Sequence, residues 1–419
     1  MNNCVIDRIK VCWIDLIVSI FLIACSLKRV RIFFSRLLIL LLFFLSCNDK
    51  EGGVDTIVLW EQGKGSCNNY RIPSLIVTGK GTLLAFCEGR EAGDTGDINL
   101  LLKRSEDNGK SWSEEQIVWD DGGNTCGNPC PVIDEETGRI WLFLTWNNGK
   151  ERENEIIRKT SRSPRLPYVT YSDDDGKTWS APLSLGESCR YPSWGWYATG
   201  PGVGIQLRRG LHKGRLIIPA NHSYDDPEGN LANGPYSYGV HVIYSDDHGK
   251  SWQIGEPITP GCNESQITEL SDGILLMNMR SYNNQQARGV SYSKDGGETW
   301  SDIEHDYQLV ESVCQASVHC IEVAEGKLAH LFLNPAVSRG RSHLTLKVSF
   351  NDCQEWSNSK LVYSGPAAYS CIAQLADGRV ALFFEAGEKN AAEKLVFTSF
   401  EWNEIFRPGT LLQELSTFQ

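Results

Sequence analysis

Arginines, carboxylates and tyrosines in this chain gather at strand starts and loop edges, in short phrases that stand apart from the rest of the sequence. They are Tyr70-Arg71-Ile72-Pro73; Glu88-Gly89-Arg90 with the loop to Asp97 behind it; Asn263-Glu264-Ser265-Gln266; Leu275 to Arg280 (LLMNMR); Arg339-Gly340-Arg341-Ser342; Ala368-Tyr369-Ser370; and Phe383-Phe384-Glu385-Ala386-Gly387. Guanidinium groups stay charged and meet a carboxylate in a planar, two-pronged contact, so several fixed around one point would hold an anionic substrate. A Glu or Asp beside a leaving oxygen can give and take a proton. A tyrosine hydroxyl, with a pKa of about 10, becomes a useful nucleophile only next to a base. Taken singly, a surface arginine is an ordinary solvated side chain; the chemistry follows only if the fold brings these groups together.

The elements that must do so form a repeat. From Val54 onward one eight-residue phrase returns: SEDNGKSW at Ser105–Trp112, SDDDGKTW at Ser172–Trp179, SDDHGKSW at Ser245–Trp252 and SKDGGETW at Ser293–Trp300, with a worn copy, SFNDCQEW, at Ser349–Trp356. Each follows a strand-like run: Asn99–Lys103, Tyr168–Tyr171, Val240–Tyr244, Gly289–Tyr292 and Leu344–Val348. The phrase has the chemistry of a tight hairpin. Its Asp can accept from backbone N–H groups of the turn, its Gly takes a positive φ, and its Trp anchors the hairpin in the core. Successive copies lie 67, 73, 48 and 56 residues apart, and the 365 residues from Asp55 to Gln419 hold about six units of that size. Each unit suffices for a four-stranded sheet with loops. The expected fold is therefore all-β, a six-bladed β-propeller with Asp-box hairpin turns, in one domain over residues 48–419. The 39 glycines and 13 tryptophans against 3 methionines suit it better than a helical bundle. The phrase itself reads as a peripheral structural turn, and propellers of this kind also occur in lectins, assembly factors and other glycosidases.

Residues 1–47 read as an address. Leu38 to Leu45 is a short apolar run preceded by Lys28, Arg29, Arg31 and Arg36 and followed by Ser46-Cys47. That is the pattern of a lipoprotein signal, with Cys47 as the lipid attachment point. The earlier apolar stretch Trp13 to Ala24 reads as a second span or, preferred, as a spurious upstream extension of the reading frame, a start near Leu27 leaving a signal of ordinary size; for the leader as a whole, an uncleaved transmembrane anchor is the other reading. Either puts the domain outside the cytoplasm, in the periplasm or on the cell surface. The whole chain carries a formal charge of -12, and the part after residue 47 carries -16. That surface suits nucleic acid poorly, and cations for an anionic substrate must be gathered in one pocket. Cys126-x3-Cys130 and Cys314-x5-Cys320 have no histidine partners at zinc spacing, so buried thiols or an occasional disulfide are expected, and no metal.

The Arg-Ile-Pro phrase at Arg71–Pro73, followed by the repeated Asp-box, resembles the bacterial and animal sialidases, and the resemblance covers nearly all of the chain from Val54 on. It implies as substrate a sialic acid, whose anomeric carbon bears a carboxylate. Arg71, Arg280 and Arg341 would hold that carboxylate, Arg341 being preferred to Arg339 for its spacing to Tyr369. Tyr369 would be the nucleophile and Glu264 its base; a Glu or Asp nucleophile would meet a like charge, whereas a phenol approaches neutral. The sixteen-residue intervals from Glu264 to Arg280 and from Tyr369 to Glu385 agree with the family pattern. Glu385, grouped with the substrate-binding residues, would orient Arg71 by a buried ion pair. Asp94 would be the acid/base, preferred to Asp97, which reads as a turn cap, and Arg90 would reach the sugar oxygen at C4.

No cofactor is implied, sialylated glycans are the expected partners, and a monomer is expected. Trp146-Asn147-Asn148, Tyr191 to Tyr197 and Asn221-His222 have the make-up of sugar-binding loops and read equally as packing. Gly200-Pro201-Gly202-Val203-Gly204 is followed by no Lys-Ser/Thr and reads as a turn of the fold, not a phosphate loop. The function expected is a retaining exo-α-sialidase. Its rivals are a hydrolase of a related keto acid sugar, a trans-sialidase, a sialic-acid-binding lectin or adhesin, and a purely structural propeller, which would give no reason for three matched arginines.

Overall fold

The computed structural model describes residues 56–324 and 326–405. The leader with Cys47 and the two ends of the expected domain lie outside the described residues. Within them the protein is all-β, with a single short α-helix at Glu153–Ile157.

The strands form successive antiparallel meanders. Asn69–Val77, Leu83–Arg90 and Ile98–Ser105 make the first, with Gln116–Trp119 on its edge. Thr125–Ile133, Ile140–Asn147, Leu166–Ser172 and Leu183–Ser184 repeat the pattern. So do Tyr197–Thr199, Leu216–Asp225, Tyr236–Ser245 and Gln253–Ile254, and then Cys262–Glu269, Leu275–Ser281, Ala287–Ser293 and Glu304–Val310. Ser317–Ala324, Lys327–Pro335 and Ser342–Ser349 follow, and the long strand Asn358–Gln374 serves twice. Its first half closes their meander and its second half opens another with Val380–Ala386 and Lys394–Phe400. The outermost place there is taken by Ile57–Glu61, from the beginning of the described chain.

Second strands such as Leu83–Arg90 and Val380–Ala386 are buried along their whole length, which is why they open as apolar runs without alternation, Leu83–Cys87 and Val380–Phe384, before the buried charges of Glu88, Arg90 and Glu385. Phe86, Phe143, Phe383 and Phe397 fill the space between neighbouring meanders. The repeated turn locks each hairpin to that core. In the first copy Asp107 accepts from the Ser105 hydroxyl at 2.9 Å, the Ser111 N–H at 2.8 Å and the Ser111 hydroxyl at 2.6 Å. Its tryptophan meets a ring of the adjoining meander, Trp112 on Phe397 at 5.1 Å, as Trp179 meets Phe86 and Trp252 meets Phe143. Gly109 sits at φ 84, and a Cβ there would collide with the Phe397 ring. In the worn copy Asn351 takes the Asp's bonds, and Cys353 accepts the left-handed backbone at φ 63.

The segment Gly200–Gly204 is an interior feature as well as a turn. The Pro201 carbonyl accepts from Gln266 at 3.1 Å and Gln315 at 3.3 Å, and the Gly202 carbonyl accepts from Ser74 at 2.7 Å, so it ties four meanders together. All ten described cysteines carry free thiols.

Candidate active site

The backbone first makes the site possible through one repeated irregularity. In four meanders the opening strand carries one residue more than its partner: between Arg71 and Ser74, between Gly127 and Cys130, between Cys262 and Ser265, and between Ala367 and Ser370. Such bulges bend a strand and re-aim its side chains. Here they carry Ile72, Asn128, Glu264 and Tyr369. Ile72 adopts φ 65, a left-handed conformation that a β-branched residue takes only when its surroundings impose it. The Glu385 carboxylate supplies that constraint, accepting the Ile72 N–H at 3.0 Å.

Around these bulges lies a cavity of about 250 Å³ whose wall includes Arg71, Arg90, Asp94, Glu264, Arg280, Arg341 and Tyr369. Arg71 is held by Glu385 through Nε at 3.0 Å and Nη2 at 3.1 Å, and the same carboxylate accepts the Tyr369 N–H at 3.2 Å. Glu385 is fully buried and off the cavity wall, so it reaches the site through Arg71 and the backbone of Ile72 and Tyr369. Burial works against the Arg71 charge, but Glu385 and the neighbouring Tyr369 and Asp94 more than offset it. Arg280 is likewise desolvated and held charged by Glu264. Arg341 donates to the Val313 carbonyl at 3.2 Å and lies 5.7 Å from the Tyr369 ring, with Arg71 at 4.9 Å. The neighbouring Arg339 is exposed and off the cavity wall.

The Tyr369 hydroxyl donates to Glu264 Oε1. Arg280 Nη1 reaches the other Glu264 oxygen at 2.6 Å and the Tyr369 oxygen at 3.1 Å. Burial, and then the Glu264 charge, push the phenol well above its usual pKa, so the hydroxyl rests neutral, keeping its proton and directing its O–H at the carboxylate. Across the cavity Asp94 meets Arg90 at 2.5 Å and Arg71 at 3.5 Å, yet its side chain is 79% exposed. Partial burial would raise its carboxyl, but Arg90 and Arg71 overcome that and hold it below the ordinary Asp value. Asp97 instead accepts from Asn99 at 3.2 Å and is absent from the cavity wall. Arg90 is fixed by Glu88 at 2.7 Å, and the second Glu88 oxygen accepts the N–H of the bulge residue Asn128 at 2.6 Å.

The structure thus brings Arg71, Arg90, Asp94, Glu264, Arg280, Arg341 and Tyr369 around one space. Of the aromatic and amide segments left without a role, it adds Trp196 and Asn221 to the wall. Asn221 is fully buried, and neither polar atom of its amide has a partner. His222 turns away, 3.0 Å from His241 and stacked on Trp194, and the Trp146 indole donates to Asp121.

Sequence reasoning missed Glu153, Arg165, Tyr238 and Tyr282, all on the cavity wall. Glu153 opens the short helix and accepts the Tyr238 hydroxyl at 2.6 Å; burial raises its carboxyl. Arg165 is buried, bonded to the neutral side chains of Thr145, Asn147 and Asn128 and stacked 4.5 Å over Trp196, and desolvation lowers it to about 10. A carbohydrate-sized space with convergent polar groups and an anion-holding arginine cluster suits a charged sugar. A larger cavity of about 450 Å³ includes Glu135, Arg208, Arg209 and Glu269, but those arginines are engaged by the two glutamates. It holds none of the proton-transfer residues.

Comparison with known proteins agrees with this geometry. The sequence model of a BNR repeat-like domain matches residues 81–382. A sialidase from Micromonospora viridifaciens is 33% identical over 343 residues, covering 78% of this chain and 51% of that protein, so the chain spans about half of that relative's length. An exo-alpha-sialidase from Aspergillus fumigatus is 30% identical over 373 residues, covering 81% of this chain and 85% of that protein. Among solved structures, the Hadza microbial sialidase Hz136 superposes with a TM-score of 0.74 at 28% identity, over 84% of this chain and 69% of that one. With the repeat model matched over most of its length and the fungal relative covered nearly whole, the chain belongs to the sialidase family.

Proposed function

We propose that this protein is an exo-α-sialidase, hydrolysing terminal α-linked sialic acid from glycoproteins, glycolipids and oligosaccharides with retention of configuration through a Tyr369-linked intermediate. The observation that carries the reading is the hydrogen bond from the Tyr369 hydroxyl to Glu264 in a cavity walled by Arg71, Arg280 and Arg341. The three guanidiniums take the substrate carboxylate. Asp94, protonated, gives its proton to the leaving glycosidic oxygen as that bond breaks. The Tyr369 oxygen bonds to the anomeric carbon while Glu264 takes the phenolic proton. Asp94, now a carboxylate, then draws a proton from water; the water oxygen bonds to the anomeric carbon, the bond to Tyr369 breaks, and Glu264 returns the proton to the phenol. Arg90 reaches the sugar oxygen at C4, Glu385 orients Arg71, and no cofactor takes part.

The scaffold on this reading is a six-bladed propeller. Its support is the strand order, which divides into six four-stranded meanders with the first described strand completing the last. Export with a lipid on Cys47, display in the periplasm or at the cell surface, and action as a monomer belong to the same proposal; the leader's charge and apolar pattern support the export.

The test is hydrolysis of a fluorogenic α-sialoside by the purified protein beside Tyr369→Phe and Asp94→Ala, with NMR identification of the first-released anomer. An aryl leaving group needs little protonation, so Tyr369→Phe loses far more rate than Asp94→Ala, and the α anomer appears first. A folded wild type that binds sialic acid without turnover would instead be a lectin.

A further inference from the structure

We propose that the buried Arg288–Glu311 ion pair is the positioning device for two of the three arginines that hold the substrate carboxylate, tying Arg280 and Arg341 to one joint. The inference rests on the sialidase reading above. Neither member of the pair is on the cavity wall, and neither belongs to any of the phrases from which the site was read.

Arg288 lies on the strand Ala287–Ser293 with no exposed surface. It donates to the Asn278 side chain at 2.7 Å, to Glu311 Oε2 at 2.5 Å and to the Cys314 carbonyl at 2.7 Å. Glu311, also buried, uses its other oxygen to accept the N–H of Ser281, the residue after Arg280, at 2.7 Å. On this side the pair fixes the end of the strand that carries Arg280.

On the other side it fixes a turn. Just beyond Glu311, Val313 sits at φ 56, a left-handed conformation costly for a β-branched residue. The bond from Arg288 to the next carbonyl, that of Cys314, holds the chain in this shape. The Val313 carbonyl is the acceptor for Arg341 Nη2 at 3.2 Å. Cys314 itself is buried against Ile72, Ala368 and Tyr369. One guanidinium and one carboxylate therefore set the backbone that follows Arg280 and the carbonyl that steadies Arg341.

A purely structural role is the competing account, and the two differ in what replacement does. A buried ion pair exchanged whole for apolar side chains of similar volume often leaves stability unchanged, whereas removing one partner strands a buried charge. A displacement of about 1 Å in a binding group is enough to lose about 100-fold in function. The pair's contribution to positioning is thus separable from its contribution to folding.

The experiment measures inhibition of the full protein by 2-deoxy-2,3-didehydro-sialic acid and by its methyl ester, which lacks the negative carboxylate. In the wild type the acid binds far more tightly than the ester. In the double variant Arg288→Met/Glu311→Leu, with its melting temperature close to wild type, the acid-to-ester preference is expected to fall at least tenfold while ester binding changes little. Glu311→Gln keeps an acceptor for Ser281 but loses the charge; it carries the same comparison if the double variant does not fold, and a smaller fall is expected. An unchanged preference in either folded variant overturns the proposal. Equal binding of acid and ester by the wild type also overturns it, and places the failure in the carboxylate-binding reading before any variant is made.

Discussion

The Tyr369 hydroxyl donates its hydrogen bond to Glu264 at the centre of the cavity, with Arg280 gripping the far oxygen of the same carboxylate at 2.6 Å. The neutral phenol and its charged acceptor come from different meanders, so the pair exists only in the folded protein. Glu264→Gln keeps a hydrogen-bond acceptor for the phenol and removes the base. We expect kcat to fall by about 10²–10⁴-fold, the usual range for a lost general base, with a much smaller change in KM. Steady-state kinetics on an aryl sialoside checks it; a kcat within tenfold of wild type would remove Glu264 from the mechanism.

Asp94 offers a pH signature. Arg90 and Arg71 hold its carboxyl below the ordinary Asp value, so in the free protein its protonated fraction falls tenfold for each pH unit above that value. A substrate with a sugar leaving group needs that proton. Its kcat/KM should therefore decline from mildly acidic toward neutral pH more steeply than that of an aryl sialoside. Asp94→Asn should flatten the difference, and identical profiles for the two substrates in the wild type would contradict the assignment.

Acid should also loosen the fold, by way of His222 and His241. The two rings lie 3.0 Å apart, buried, with His241 bonded to the Tyr197 hydroxyl at 2.8 Å. Desolvation lowers His241 to about 3 and, with the charge of His241 adding to it, puts His222 well below its usual value. Below a pH of about 6.5 the unfolded chain takes up protons that the folded state refuses, so stability falls as pH falls, by about 1.4 kcal/mol per unit per histidine until the folded value is reached. The melting temperature measured from pH 7 to 4 should drop accordingly, and His241→Gln should shrink the slope by one histidine's share.

Stability and binding should move in opposite directions at Asn221. No other protein group hydrogen-bonds its buried amide, and an amide left unpaired in a fold costs about 1–3 kcal/mol. Asn221→Leu, which keeps the branch at Cγ and the number of heavy atoms, is expected to raise the melting temperature while weakening inhibition by the didehydro analogue. A stabilised variant with unchanged inhibition would show that the amide does not face the ligand.

What could be read beforehand divides along a physical line. The turns at Ser105, Ser172, Ser245, Ser293 and Ser349 were legible because an Asp or Asn, a left-handed residue and a tryptophan within eight positions make their bonds locally. Tyr369, Glu264 and the arginines were legible by resemblance, and the structure gathers them. The one-residue bulges were not, because an extra residue shows only against the partner strand's register. Arg165 and Glu153 were invisible for a related reason: one faces neutral side chains drawn from two other strands and the other depends on a five-residue helix. Arg288 and Glu311 look like ordinary polar residues until both prove to be buried.

The pairing of the first described strand with the last has a consequence for how the protein meets its surroundings. Ile57 lies opposite Phe397, and the chain leaves after Phe400, which pairs with Val380, while Ala386 and Lys394 mark the opposite end of that sheet, toward Tyr369. Ile57 and Phe400 therefore lie at the end of this sheet away from Tyr369. A label or fusion partner joined beside either strand end would thus sit at the end of this sheet away from Tyr369.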